Sequence, residues 1–225
     1  MTWGNTTLGD LVLALPDSTA LLRSLRLDFC CGGASTLAEA CRLGGISLEK
    51  VEQELKKIQK PEVTKPVYNW PLEKITQFIV EHYHRDLRSR VPELILLAEK
   101  VERVHAGKPG CPQGVANAIR SIKIEMDSHM QKEEEILFPM IAAGNGSMAY
   151  MPIRILLAEH EGHGANLGLL RELAYNYKAP EHACNSWRAL YVGLDQMEHE
   201  LMEHIHLENH VLFTRALSEE AELRE

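Results

Sequence analysis

No apolar run in the 225-residue chain approaches the roughly 18 residues that would cross a bilayer. The opening Met1-Thr-Trp-Gly-Asn-Thr-Thr7 lacks the basic and apolar stretches of a secretion signal. The expectation is a soluble, cytoplasmic protein without a membrane partner. Cations are the minority charge, 24 Lys and Arg against 32 Asp and Glu, for a formal net charge of -8. Nucleic acid and anionic lipid both call for a basic face, so neither is expected as a partner. Five cysteines are too few, and odd in number, for a disulfide scaffold. Alternating Val, Ile and Thr bounded by turns is missing, which argues against strands. With 45% hydrophobic and 25% charged residues, disordered and fibrous classes are excluded too. What the chain has in abundance is histidine, 11 in all. Imidazole titrates near neutrality and is the commonest protein metal ligand, so the positions of these residues decide the reading.

Three prolines, Pro61, Pro66 and Pro71, forbid a continuous helix between Lys60 and Leu72. The chain therefore divides into a small helical domain at 1–60, a Pro-rich linker at 61–71 and a larger domain at 72–216. The first part reads as short helices punctuated by Pro16, Gly32-Gly33 and Gly44-Gly45, with Ser47 as N-cap of a helix from Leu48 to Gln59. Sixty residues make a marginal core unless they dock on something larger. Beyond Pro71 the pattern gives four helices, roughly 72–105, 114–142, 152–177 and 184–216. They are separated by Gly107–Gly114, Gly144–Pro152 and Ala179-Pro180. The fold expected is all-α, an up-down-up-down four-helix bundle behind a small helical domain.

Two segments share a spacing, His129-Met-Gln-Lys-Glu133 and His204-Ile-His-Leu-Glu208. Residues four apart occupy one helix face, so each segment aims an imidazole and a carboxylate at one point. Alone, that spacing says little; levels say more. In an antiparallel bundle, two residues lie level when the turn joining their helices falls midway between them. The midpoint of His84 and Glu133 falls in Gly107–Gly114, that of Glu133 and His160 in Gly144–Pro152, and that of His160 and His204 beside Ala179-Pro180. His84, His129, Glu133, His160, His204 and Glu208 therefore form one layer.

Each candidate also interrupts an apolar stripe: Val80, Leu87, Val91 and Ile95 around His84; Ile122, Met126, Ile136 and Met140 around His129; Ile153, Leu156 and Leu167 around His160; Met197, Leu201 and Val211 around His204. Four His and two Glu in a buried layer are costly to desolvate unless a cation compensates them. The set has too many ligands for one tetrahedral zinc and no sulfur. It is too nitrogen-rich for calcium or magnesium. It suits two first-row ions bridged by Glu133 and Glu208. Iron is the natural choice, with manganese or a zinc pair left open.

On these residues the bundle resembles the hemerythrin-like (HHE) domain, a His-rich di-iron four-helix bundle. The whole chain resembles the repair-of-iron-centres family, on Asp28-Phe-Cys-Cys-Gly-Gly33, Lys100-Val-Glu-Arg-Val-His105 and His129-Met-Gln-Lys-Glu-Glu-Glu-Ile-Leu-Phe-Pro-Met140. The resemblance implies ligation of two non-haem, carboxylate-bridged irons by the same six residues. It also implies repair of iron–sulfur clusters damaged by nitrosative and oxidative stress, with iron–sulfur proteins as clients. The family's Phe-Pro after the fourth-helix ligands is Phe213-Thr214 here, outside the ligand set.

Glu125 and Glu159 are candidates for carboxylates backing the ligands or lining an iron path, against the plainer role of solvated helix charges. His105 lies 21 residues after His84, roughly 30 Å along a continuous helix, and is left out. His82, His199, His206 and His210 point away from the ligand faces and read as surface residues. His163 reads as a surface or hydrogen-bonding residue. Cys30 and Cys31, beside two glycines and near a helix start, are candidates for a lowered pKa and for redox exchange or metal hand-off, against two buried small residues. Cys41, Cys111 and Cys184 read as structural. Two carboxylates are fewer than the four of ferritin-like di-iron sites, which disfavours oxygen activation and favours release of iron. The leading expectation is an iron donor for cluster repair. Alternatives are a nitric oxide reductase or scavenger, and a hemerythrin-like sensor or carrier of O2 or nitric oxide. Homodimerisation is left open.

Overall fold

The computed structural model describes residues 2–58, 65–144 and 146–222. Positions 61–64 of the expected linker, Gln59 at the end of the expected Leu48–Gln59 helix, and Asn145 in the second turn lie outside the described residues. The N-terminal part holds α1 (Leu8–Ala14), α2 (Thr19–Ser24), α3 (Leu37–Gly44) and α4 (Leu48–Leu55). Three of them start from a hydroxyl cap. The side chains of Thr7, Thr36 and Ser47, each in extended backbone, accept the N–H of Asp10, Glu39 and Lys50. Gly45, at φ 65, ends α3 in a left-handed conformation that any side chain would strain. α4 stops at Leu55, short of the expected Gln59, where Lys57 and Ile58 donate to the carbonyls of Glu54 and Leu55 in tighter turns. Among the described residues the single bridge, Thr7 to Thr36, is the nearest thing to a strand.

Four long helices follow: α5 (72–104), α6 (115–142), α7 (Gly146–Leu173) and α8 (185–222). Each packs on the next and α8 returns to α5, closing the all-α bundle. α7 begins at Gly146, six residues before the expected Pro152. Pro152 is tolerated inside it beside exposed Met148, Tyr150 and Met151, where solvent can satisfy the carbonyl that loses its donor. At the other end, three successive non-glycine residues with positive φ, Tyr175 (51), Asn176 (56) and Tyr177 (58), stop the helix ahead of the expected 177.

Three of the four helices contain a π-helical turn: Ile79–His84 in α5, Glu133–Leu137 in α6 and Glu208–Leu212 in α8. A π turn inserts a residue and rotates what lies beyond it. The stripes expected at strict α-helical spacing are corrected accordingly. Ile79 is buried where Val80 was expected. Ile136 is 47% exposed and Met140 half-buried, while Leu137, Phe138 and Ile141 fill the core.

The apolar interior has two lobes. The larger combines Leu11, Leu22, Phe29, Leu37 and Leu55 of the N-terminal part with Val91, Ile119, Met126 and Trp187 of the bundle, so the small helices share the bundle's core. The smaller lobe, with Ile79, Leu137, Ile153 and Leu212, fills the other end. Docking is close enough that a methyl group on Gly9 or Gly33 would overlap the ring of His210. No helix among the described residues is long and apolar enough to cross a membrane.

Candidate metal centre

The six candidate donors lie between the two lobes. His84 ends the π turn of α5, His129 and Glu133 stand where α6 enters its π turn, His160 comes from α7, and His204 and Glu208 stand where α8 enters its own. All six are at most 1% exposed. They form two overlapping quartets, His84, Glu133, His204 and Glu208, and His129, Glu133, His160 and Glu208, with the donor atoms of each within 4.8 Å of one another. Both carboxylates belong to both quartets. The Glu133 oxygens are 3.4 Å from Nε2 of His84 and 3.4 Å from Nε2 of His129. Those of Glu208 are 3.3 Å from His160 and 2.8 Å from His204.

The outward nitrogens fix the rings. Nδ1 of His84 is 2.6 Å from Glu134, Nδ1 of His129 is 2.9 Å from Glu159, and Nδ1 of His160 is 2.6 Å from Oδ1 of Asn209. The Asn209 amide is oriented by its NH2, which donates to the Cys30 carbonyl at 3.1 Å. With the Nδ1 protons of His129 and His160 held by oxygen acceptors, both rings in the neutral form that binds metal turn Nε2 lone pairs toward each other, 2.9 Å apart. The Nε2 atoms of His84 and His204 face each other in the same way, 3.2 Å apart, with an oxygen acceptor, Glu134, on Nδ1 of His84. Both Glu133 oxygens and Oε2 of Glu208 are buried without a hydrogen-bond partner among the described residues. Lone pairs and carboxylate oxygens converging in a dry interior repel unless a cation lies among them. The donor set thus fits a cluster of first-row ions with nitrogen and oxygen ligands.

Charges in the metal-free chain follow the same geometry. Burial opposes ionisation of Glu208, but His204 and His160 outweigh it and hold its carboxyl well below the usual carboxylate range. Burial likewise opposes protonation of His129, yet Glu133, Glu208 and Glu159 raise it to about 9. At His204 burial prevails and lowers the imidazole.

Glu159 meets His129 and Lys132. Glu125, 46% exposed at its side chain, pairs with Asn166 and lies 3.8 Å from His163, touching none of the six donors. Sequence reasoning did not find Glu134 or Asn209. Each follows a candidate carboxylate by one residue, and only the π turns swing them onto Nδ1 nitrogens.

Several histidine expectations are corrected. His206 is buried, with Nδ1 3.4 Å from the Phe29 carbonyl, and burial together with the charge of His210 lowers it to about 3. His210 is partly covered, its Nε2 3.3 Å from the Cys30 carbonyl. Both were expected on the surface, and the N-terminal helices cover them. His163 is buried edge-on to His129, and burial with the charges of His129 and His160 lowers it to about 4.

Cys30 and Cys31 lie in the loop before α3, their sulfurs 3.6 Å apart, with Asp28 accepting both backbone N–H groups. The Cys31 thiol donates to the His160 carbonyl at 2.9 Å and packs on Gly164. The lowered pKa expected for this pair is corrected for Cys30. Its contact with Cys31, burial and the charge of Asp28 push its thiol well above the usual range.

Residues 77–216 match the family model described as hemerythrin HHE cation binding domain, and residues 4–59 match one described as a domain of unknown function, ScdA_N. Two curated relatives are the iron-sulfur cluster repair protein YtfE of Yersinia pseudotuberculosis serotype O:1b (strain IP 31758) and that of Yersinia pestis (strain Pestoides F). Each is 46% identical over 218 residues, covering 96% of this chain and 99% of the relative.

Proposed function

The chain belongs to the hemerythrin-domain iron–sulfur cluster repair family, and from that membership we propose that it restores damaged clusters by supplying iron. On this reading it holds two non-haem ions bridged by Glu133 and Glu208, and its clients are iron–sulfur proteins injured by nitrosative or oxidative stress. The observation that carries the two-ion assignment is the pair of carboxylates shared between two His pairs.

Bound iron supplies the metal that a damaged cluster has lost. The protein supplies the cage and its protons. Tyr83 stacks on His204 at 5.1 Å, Phe138 on His84 at 6.0 Å and Phe213 on His160 at 6.0 Å, keeping bulk water from the donors. Glu134, paired with Arg88, and Glu159, paired with Lys132, are only partly covered. Each links an Nδ1 proton to solvent. Ferritin-like centres use four Glu. Two carboxylates carry less negative charge, stabilise ferric iron less and let metal go more readily.

The test is iron transfer. Iron-loaded protein incubated with a cluster-depleted iron–sulfur enzyme should restore that enzyme's activity while losing a matching amount of iron. Recovery without iron loss overturns the donor role. A second reading, reduction of nitric oxide, is favoured by the paired thiols beside His160. Converting two nitric oxide molecules to nitrous oxide and water takes two electrons and two protons, which a dithiol yields on becoming a disulfide. Nitrous oxide formation at constant iron content decides for that reading.

A further inference from the structure

At the end of the bundle away from the six-donor layer, Cys184 stands alone in being exposed among the five cysteines. It is the N-cap residue of the 23-residue Asn185–Leu207 segment of α8, and its side chain makes no capping bond. Its sulfur lies instead 3.0 Å from Nε2 of His105, the residue that closes α5. His105 is 4% exposed, and its Nδ1 has no partner among the described residues. The ring of Trp187, one turn into α8, lies 5.1 Å from the imidazole. The 21 residues separating His105 from His84 in a continuous helix set this cluster roughly 30 Å from the candidate metal layer.

The geometry points to a nucleophilic thiol–imidazole pair, Cys184 with His105, that exchanges with low-molecular-weight disulfides of the glutathione disulfide class. In the exchange the Cys184 S–H proton passes to His105 Nε2 and the sulfur attacks one sulfur of the small disulfide. The S–S bond of the reagent breaks and a Cys184–S–S–R bond forms. The leaving thiolate takes the proton back from His105 and departs as a thiol. Cys184 is oxidised to the mixed disulfide and half of the reagent is reduced, so no further oxidant is needed.

Three features of the fold serve that step. A helix N-terminus carries about half a positive charge beside the developing thiolate. A buried imidazole within hydrogen-bond reach takes the proton. An indole within about 6 Å favours the imidazolium while it lasts. No other cysteine combines access with a base. Cys30, Cys41 and Cys111 are buried, and the Cys31 thiol is engaged with the His160 carbonyl.

The test treats the full chain with limiting glutathione disulfide and maps the adducts by mass spectrometry against time. Cys184 should be modified first, about tenfold faster than the same residue in the urea-unfolded chain. A positioned base that takes the proton contributes typically about 10²–10⁴-fold, so a tenfold gain is within its reach. His105→Gln should remove most of that advantage, and free imidazole should restore the rate in His105→Ala. Cys184→Ser should show no early adduct. Modification of Cys31 before Cys184 overturns the assignment. So does a folded-state rate no greater than the unfolded one, which can be read even if the His105 variants fail to fold.

Discussion

Replacing Asn209 by Leu keeps the side-chain volume and removes two hydrogen bonds, the 2.6 Å contact to His160 Nδ1 and the 3.1 Å contact to the Cys30 carbonyl. The first orients an imidazole and raises its basicity. Loss of such a partner typically lowers metal affinity 10–100-fold, about 1.4–2.7 kcal/mol. The second takes away one of the two side chains that meet the Cys30 carbonyl, leaving His210 Nε2 at 3.3 Å, and costs about 1 kcal/mol of folding stability. The assay is competition for iron by a ferrous chelator, following the coloured chelate against chelator concentration. Asn209→Leu should surrender iron at a tenfold or lower chelator concentration than the parent chain. Glu125→Gln, which alters a carboxylate touching none of the six donors, should shift the midpoint less than about twofold. The reasoning fails if Asn209→Leu and the parent chain release iron together, or if Glu125→Gln weakens retention as much.

Glu133→Ala removes a carboxylate shared by both quartets, so on the proposed two-ion reading metal analysis should find less than one iron per chain, whereas His84→Ala, which touches one quartet, should retain more. Stripping iron should lower the thermal midpoint. Ligand held at 1,000 times its dissociation constant contributes about 4 kcal/mol, and at about 2–4 °C per kcal/mol for a chain of this size calorimetry should record a fall on the order of 10 °C. Gly9→Ala places a methyl group in the His210 ring. Urea unfolding should show a loss of about 1–3 kcal/mol that shrinks in Gly9→Ala/His210→Ala, a coupling that independent sites would not display.

Sequence spacing carried the class of fold and the grouping of the four helices, because Gly and Pro mark turns and a 3.6-residue period marks a buried face. The six donors could be grouped because turn midpoints fix height along antiparallel helices without reference to rotation. Rotation was the weaker coordinate. Ile136 and Met140 were placed inward and Ile79 overlooked because a π turn announces itself by no residue preference, yet shifts every later position by one. Glu134 and Asn209 were missed for the same reason. His206 and His210 were read as exposed because bundle periodicity alone cannot register a face covered by helices from another part of the chain. The start of α7 was placed at Pro152 by treating proline as a stop, although an exposed first few turns can absorb the lost bond. Cys184 and His105 are 79 residues apart, and no local pattern joins them.

The two ends of the donor layer are not held alike. His84 is steadied by Glu134 and Arg88, both from the bundle itself. His160 is steadied by Asn209, and its own carbonyl takes the Cys31 thiol, so its anchorage runs into the N-terminal loop. A truncated chain beginning at Leu72 would keep every donor side chain and still be lopsided, firm around His84 and loose around His160. The N-terminal segment therefore acts as a latch on one side of the donor layer, so that lifting it loosens the His160 side ahead of the His84 side.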